Sequence, residues 1–139
     1  GLPFETLPVG RGRRLREGRD VALVTVGTVG NAAARAAERA AAQGVEAAHY
    51  DLRWVKPLDT ELLDEVGRTF RRVITVEDGC LRGGVGEAVA AYFNARGYDA
   101  HVTCLGIGDA WVEHGTPEQL HALCGYDEES ILRALTQPV

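Results

Sequence analysis

Apolar runs of strand length alternate along this chain with stretches in which apolar residues recur at helical spacing. Four runs predict strands, at 20–26, 45–50, 72–76 and 100–107. The first, DVALVTV, is unbroken, which is typical of a strand buried on both faces of a sheet. The stretches between the runs predict helices within 28–44, 58–70 and 86–97, and two more helices begin at 116 and about 127.

Capping residues mark where two of these helices start. Thr116 precedes Pro117 and Gln119, a pattern that predicts a capping box with proline at the first helical position. Asp59 or Thr60 is the expected N-cap of the helix within 58–70, because either side chain can accept a hydrogen bond from a free backbone N–H.

The alternation of strands and helices, with short links, favours parallel strands joined by right-handed crossovers. We therefore expect an α/β fold, a three-layer α/β/α sandwich around a mainly parallel sheet of about five strands. Residues 20–139 are expected to form this domain, and 1–19 a linker in which RRLREG makes a short edge strand. The arginines of this linker predict a solvated or interface-lying segment, with a site for a phosphate or an acidic partner as the alternative: Arg11, Arg13, Arg14 and Arg16.

Composition narrows the possible partners. The 139 residues are 45% hydrophobic, enough for one core, and the formal charge of −5 argues against nucleic-acid binding and against an anionic membrane surface. We expect neither a membrane span nor a signal peptide. Three scattered cysteines predict reduced thiols in a cytoplasmic protein, without a zinc site. Because the chain begins GLPF and contains no methionine, we expect a piece of a longer polypeptide.

A glycine-rich turn follows the third apolar run, in the order strand, glycines, helix that many phosphate sites share. The segment GCLRGGVGE lacks the lysine of a Walker loop and has Glu87 where a hydroxyl is required. Glu77 and Asp78 precede the turn, and their charge would repel a phosphate. The favoured interpretation is that Gly83, Gly84 and Gly86 allow the helix start to pack closely against the sheet or a partner chain.

Polar residues gather where the predicted strands end, the edge at which open α/β sheets bind ligands. Glu77 and Asp78 are candidates for a general acid/base pair, although acids here more often cap a helix or pair with an arginine such as Arg53 or Arg82. The remaining candidates on this rim are Asp109, Glu113 and His114, the last as a proton shuttle or as a residue that orders its loop. No histidine pair has metal-ligand spacing, and no nucleophile stands beside a base. The residues alone therefore predict a domain without a self-sufficient active site.

Taken together, four segments resemble the C-terminal domain of the 1-deoxy-D-xylulose-5-phosphate synthase family, within the transketolase superfamily. The segments are DVALVTVGTV, HYDLRWVKPLDTELL, VITVEDGCLRGGVGEAV and LGIGDAWVEHGTPEQL. The most specific motif comprises Asp51, Arg53, Lys56, Pro57, Leu58 and Asp59. The EHG at 113–115 favours the synthase over its relatives, transketolase and the beta subunit of 2-oxo acid dehydrogenases, which are the alternatives.

The resemblance implies a parent transferase that uses thiamine diphosphate and magnesium. This enzyme decarboxylates pyruvate and joins the two-carbon unit to glyceraldehyde 3-phosphate, and its product feeds isoprenoid and thiamine biosynthesis. The cofactor, the magnesium and the catalytic residues belong to preceding domains, so this chain is expected to bind no cofactor and to be inactive alone. It would support a homodimer and the active site. The resemblance also implies a mixed sheet whose first short strand runs antiparallel.

Two further hypotheses come from other classes of protein. A freestanding interaction module would pair through the helix that begins at 83–86. A small nucleotide- or phosphate-sensing α/β protein would bind its ligand at the glycine turn. The acidic residues beside that turn make this hypothesis the least favoured of the three.

Overall fold

The computed structural model describes residues 4–137 as an α/β domain with one five-stranded sheet. The strands are β1 (Arg13–Arg16), β2 (Val21–Val26), β3 (Ala47–Asp51), β4 (Arg72–Cys80) and β5 (His101–Ile107). The helices are α1 (Gly30–Ala41), α2 (Thr60–Thr69), α3 (Val85–Arg96), α4 (Pro117–Cys124) and α5 (Glu128–Thr136). Within the described residues, no helix is long and apolar enough to cross a membrane.

The strands lie in the order β1-β3-β2-β4-β5. Strands β2 to β5 pair in parallel, and β1 pairs antiparallel with β3, with Arg13 opposite Asp51. The predicted α/β fold, with a mainly parallel sheet and a short antiparallel edge strand, is therefore confirmed. Alternation of strands and helices alone had indicated a wholly parallel sheet. That inference fails for β1, because β1 reaches β2 through a short turn in which no crossover helix lies.

Two apolar clusters fill the space on the two faces of the sheet. One face packs against α1 and α5, where the small side chains of Ala33, Ala36, Ala37 and Ala40 are buried. The other face packs against α2 and α3, with Leu63, Val66, Val89 and Phe93 in the contact. The central strand β2 is buried along nearly its whole length, as its unbroken apolar run predicts.

The capping residues position the helices as the sequence predicts. Asp59 is the N-cap of α2 and accepts a hydrogen bond of 3.1 Å from Leu62 N. Thr116 and Gln119 form the capping box of α4, with Pro117 in its first turn. These predictions succeed because a cap is decided by residues three or four positions apart.

Ion pairs fasten the edge strand β1 and its flanking residues to the rest of the domain. The arginines of the linker each meet a carboxylate, in the pairs Arg11–Glu61, Arg13–Asp51, Arg14–Glu65 and Arg16–Glu46. The pairs are largely solvent-exposed, so water screens their charges and each contributes little to stability. The domain boundary expected between residues 19 and 20 stays a prediction. Strand β1 lies before that boundary and is hydrogen-bonded into the sheet of the domain.

Candidate functional site

The glycine turn between β4 and α3 is organised by the carboxylate of Glu77. Strand β4 runs four residues further than the predicted strand, to Cys80, and the Glu77 side chain on it contacts the start of α3. Its Oε1 accepts a hydrogen bond of 3.0 Å from Val85 N, and its Oε2 accepts one of 2.7 Å from Gly86 N. Glu77 is 5% exposed, so its own carboxylate occupies the helix N-terminus that a phosphate would use.

The role of Glu77 therefore matches the helix cap named as the alternative to acid/base chemistry. The arginines suggested as its partners lie elsewhere. Arg53 is 4.0 Å from Asp51 and Arg82 is 3.3 Å from Asp109. Each oxygen of the Glu77 carboxylate instead accepts one backbone hydrogen bond from the start of α3.

The glycines of the turn stand where a side chain has no room or where the backbone is left-handed. A Cβ at Gly84 would overlap the Cys80 carbonyl and come 2.5 Å from Glu77 Oε1. A Cβ at Gly86 would come 2.6 Å from Thr75 Oγ1 and 2.7 Å from Cys104 Sγ. Gly83 has a φ of 71°, which favours glycine. The helix start therefore lies directly on β4 and β5. Contact of these glycines with a partner chain stays a prediction.

Asp78, the second acid of the turn, joins a cluster that sequence reasoning missed. Tyr126 donates a hydrogen bond of 2.7 Å from its hydroxyl to Asp78 Oδ1, and His121 Nε2 lies 3.6 Å from Asp78 Oδ2. Burial, followed by the bond to Asp78, raises the pKa of Tyr126. The cluster ties the end of β4 to α4 and to the start of α5. No local motif signals it, since Asp78 and Tyr126 are 48 residues apart.

The Asp51–Asp59 motif forms a structured loop at the carboxyl end of β3. Arg53 has a left-handed backbone, with a φ of 57°, and its N–H donates a hydrogen bond of 3.0 Å to Asp51 Oδ1. Asp59, besides capping α2, accepts a hydrogen bond of 2.8 Å from Gly12 N. Leu58 packs against the cluster on the α2 face, while Lys56 and Pro57 are exposed. The motif thus joins the connector, β3 and α2.

The other rim candidates lie on the loop between β5 and α4. Asp109, Glu113 and His114 are all exposed, and Asp109 pairs with Arg82. Within residues 4–137, no three histidine, cysteine, aspartate or glutamate side chains are grouped as a metal site would require. The three cysteines are free thiols, Cys80 being exposed. The structure thus assigns Glu77 to a buried cap and leaves the loop candidates in solvent.

His49 is a buried titratable residue on β3. It is 1% exposed and shares a hydrogen bond of 2.9 Å with Thr25 Oγ1 through Nε2. Burial lowers the pKa of His49 to about 4, with a smaller opposing effect from Asp51. The neutral ring is therefore favoured in the folded state at physiological pH.

We expect His49 to make the domain less stable as the pH falls from about 6.5 to about 4. In that window the unfolded chain takes up a proton at this residue and the folded chain does not, so unfolding is favoured by at most about 1.4 kcal/mol per pH unit. The pH dependence of urea unfolding should be shallower in His49→Gln than in the unchanged protein over this window. Equal slopes would contradict the assignment.

The fold and the residues at the carboxyl ends of the strands together define an α/β domain with a mixed sheet. The charged and glycine-rich motifs of this domain hold its own helices in place. The family model described as "Transketolase, C-terminal domain" matches residues 10–131. The chain belongs to the transketolase C-terminal domain family.

The chain is also similar to two named, longer relatives. It is 48% identical over 136 residues to the 1-deoxy-D-xylulose-5-phosphate synthase of Bacteroides fragilis, covering 97% of this chain and 21% of that protein. It is 42% identical over 129 residues to the synthase of Carboxydothermus hydrogenoformans, covering 93% of this chain and 21% of that protein. The chain thus spans about a fifth of the length of these curated relatives.

A solved structure has the same architecture. It is titled "Split gene transketolase, inactive beta4 tetramer", and the match has a TM-score of 0.86 and 34% identity. The match covers 93% of this chain and 42% of that chain. The likeness agrees with the mixed five-stranded sheet and with the family assignment.

Proposed function

We propose that this chain is the C-terminal domain of a thiamine-diphosphate-dependent 1-deoxy-D-xylulose-5-phosphate synthase. The observation that carries the proposal is the 48% identity along 97% of the chain to a synthase of that name. In the proposed reaction, pyruvate loses carbon dioxide and its two remaining carbons join glyceraldehyde 3-phosphate. The five-carbon product would supply isoprenoid and thiamine biosynthesis in the cytoplasm.

Within that enzyme, we assign this domain a supporting role, in the homodimer and beside the active site, without a catalytic residue of its own. Two features of the described residues support this assignment. The helix N-terminus that could hold a diphosphate is filled by Glu77, and no acidic cluster suited to magnesium is present among residues 4–137. Because these residues do not fit the cofactor, the proposal assigns cofactor binding, and the chemistry that the cofactor supplies, to the preceding domains of the parent enzyme.

The proposal predicts that activity requires the preceding part of the polypeptide. The full-length protein, supplied with thiamine diphosphate, magnesium, pyruvate and glyceraldehyde 3-phosphate, should release carbon dioxide and form the five-carbon product. The 139-residue chain, once shown to be folded by circular dichroism, should show no thiamine diphosphate binding by calorimetry. Measurable binding by the isolated chain would contradict the supporting role.

A transketolase is the second candidate, favoured by the 34% identity to the split-gene transketolase structure. The two candidates differ in the donor substrate. A transketolase would use a ketose phosphate and release no carbon dioxide, whereas the synthase would use pyruvate. Offering both donors to the full-length protein separates them.

A further inference from the structure

We propose that the carboxyl rim of the sheet is the surface on which the preceding, thiamine-diphosphate-binding part of the same polypeptide docks. The carboxyl rim comprises residues 52–58, 78–84 and 108–115, at the ends of β3, β4 and β5. Trp111 is its main apolar contact. The inference rests on the proposed function, and it identifies which of the domain's surfaces faces the rest of the enzyme.

The path of the chain brings the connector to this edge. Because β1 runs antiparallel to β3, with Arg13 opposite Asp51, the residues before β1 lie at the carboxyl end of β3. Gly12 N donates a hydrogen bond to Asp59, and a Cβ at Gly10 would come 2.9 Å from Pro57 Cγ. The connector therefore packs against the 52–58 loop, and the segment before it approaches the domain from the rim side.

Apolar side chains are exposed on this rim. Trp111 is fully exposed, and Val55 and Val112 are exposed beside their loops. Phe4, on the connector, is also fully exposed. Tryptophan is among the residues that most often anchor interfaces, because it buries a large apolar area and has few rotatable bonds. A tryptophan wholly in solvent on a loop therefore indicates a surface that another part of the enzyme covers.

The rim also has a concave site beside Trp111. A cavity of about 290 Å³ lies between the turn after β4 and the loop after β5, lined by residues that include Cys80, Arg82, Ile107 and Asp109. Arg82 and Asp109 form an exposed ion pair at this cavity. A projecting tryptophan next to a cavity offers the shape that a docked domain requires, and the exposed charges give the polar margin typical of interfaces.

The opposite edge of the sheet differs in character. The residues before β2, β4 and β5 include Arg19, Arg71 and Asp99, all highly exposed and charged, and Arg71 pairs with Asp99. The described large apolar residues that are exposed do not include any at the amino ends of these strands. Charged, flexible side chains are depleted in interface cores, so the amino edge fits solvent and the carboxyl rim fits a partner.

Lys56 allows a direct test, because it is the only lysine of the 139 residues and lies exposed on the rim. The full-length protein is treated with a reagent that couples to amines and carries a photoactivated diazirine, and cross-linked peptides are identified by mass spectrometry. Peptides that contain Lys56 should be joined to the preceding, cofactor-binding part. A matched variant, Lys56→Arg with Arg19→Lys, moves the domain's only amine to the amino edge and should lose these cross-links.

The outcomes distinguish the possible occupants of the rim. Cross-links from Lys56 to the preceding part, absent in the Arg19→Lys variant, support the proposal. Cross-links from Lys56 only to this same domain, or only to its counterpart in an isotope-labelled second copy, overturn it. Cross-links to the preceding part from position 19 instead of 56 also overturn it. If the same preparation is an active synthase, such results leave the proposed function standing. If it has no synthase activity, the proposed function fails separately.

Trp111→Ala provides an independent readout on the full-length protein. If Trp111 is buried by the preceding part, its loss should lower the midpoint of thermal unfolding. Leu123→Ala removes an exposed apolar side chain from α4, outside the rim, and should leave the midpoint nearly unchanged. Equal effects of the two substitutions would count against Trp111 as the main contact.

Discussion

The Gly84→Val substitution is expected to destabilise the domain by about 3 kcal/mol or more, a large fraction of the stability of a typical domain. A Cβ at Gly84 would overlap the Cys80 backbone oxygen and come 2.5 Å from Glu77 Oε1. The Cys80 oxygen belongs to the backbone of β4, and Glu77 Oε1 is held by Val85 N. Neither atom can move without disturbing the strand or the helix cap, so relaxation offers little relief.

Urea unfolding followed by circular dichroism measures this effect directly. Gly108→Val is the matched control, because a Cβ at Gly108 would meet nothing within 4 Å. We expect this control to change the free energy of unfolding by no more than about 0.5 kcal/mol. If Gly84→Val unfolds at the same urea concentration as Gly108→Val, then α3 is not seated on β4 as described. If the valine instead impairs a ligand site in a stably folded protein, the packing interpretation is wrong.

Local signals account for the parts of the structure that the sequence predicts well. The capping box at Thr116 and Gln119 and the N-cap at Asp59 involve residues close in sequence. Both partners of each capping hydrogen bond can therefore be recognised from a short stretch of sequence. The unbroken apolar run of β2 likewise predicts a strand with both faces covered, because a half-exposed strand would alternate.

Long-range contacts account for what the sequence did not predict. The strand order β1-β3-β2-β4-β5 depends on which strands pair with each other. The apolar runs that predict the strands are similar to one another, so they do not indicate this order. The carboxylate partners of Arg11 and Arg14 lie 50 or more residues away on α2, so the linker showed only an unassigned positive charge. The direction of β1 followed from resemblance to the family and not from alternation.

Glu77 shows how the sequence can single out a residue without indicating what its side chain contacts. The sequence places it at the end of an apolar run before glycines, where both a catalytic acid and a helix cap are reasonable. Which of these two roles the geometry favours depends on the extension of β4 by four residues, to Cys80. It also depends on the close approach of α3 to the sheet, which Gly84 and Gly86 permit. Packing, and not the acid's own neighbours in sequence, therefore determines what the Glu77 carboxylate contacts.

Glu77→Ala should therefore destabilise the domain by about 2–4 kcal/mol, because it leaves the buried N–H of Gly86 and the partly buried N–H of Val85 without an acceptor and creates a cavity. Glu77→Gln keeps one carbonyl oxygen for these donors and should destabilise by less, about 1–2 kcal/mol. Glu87→Ala is the matched control. Glu87 accepts a hydrogen bond from Gly83 N at the same helix start but is exposed, so its loss should be at most about 1 kcal/mol.

The same substitutions separate a cap from a general acid or base in the full-length enzyme. Removing a general acid or base lowers kcat by about 100- to 10,000-fold while stability can stay nearly unchanged. If Glu77 is a helix cap, the reverse is expected. The Glu77→Ala variant should lose stability, but at temperatures below its unfolding transition each folded molecule should have a near-normal kcat. Glu77→Gln is decisive here, since it abolishes proton transfer but retains most of the fold. A stable Glu77→Gln enzyme with kcat reduced 100-fold or more would show that the carboxylate takes part in the reaction.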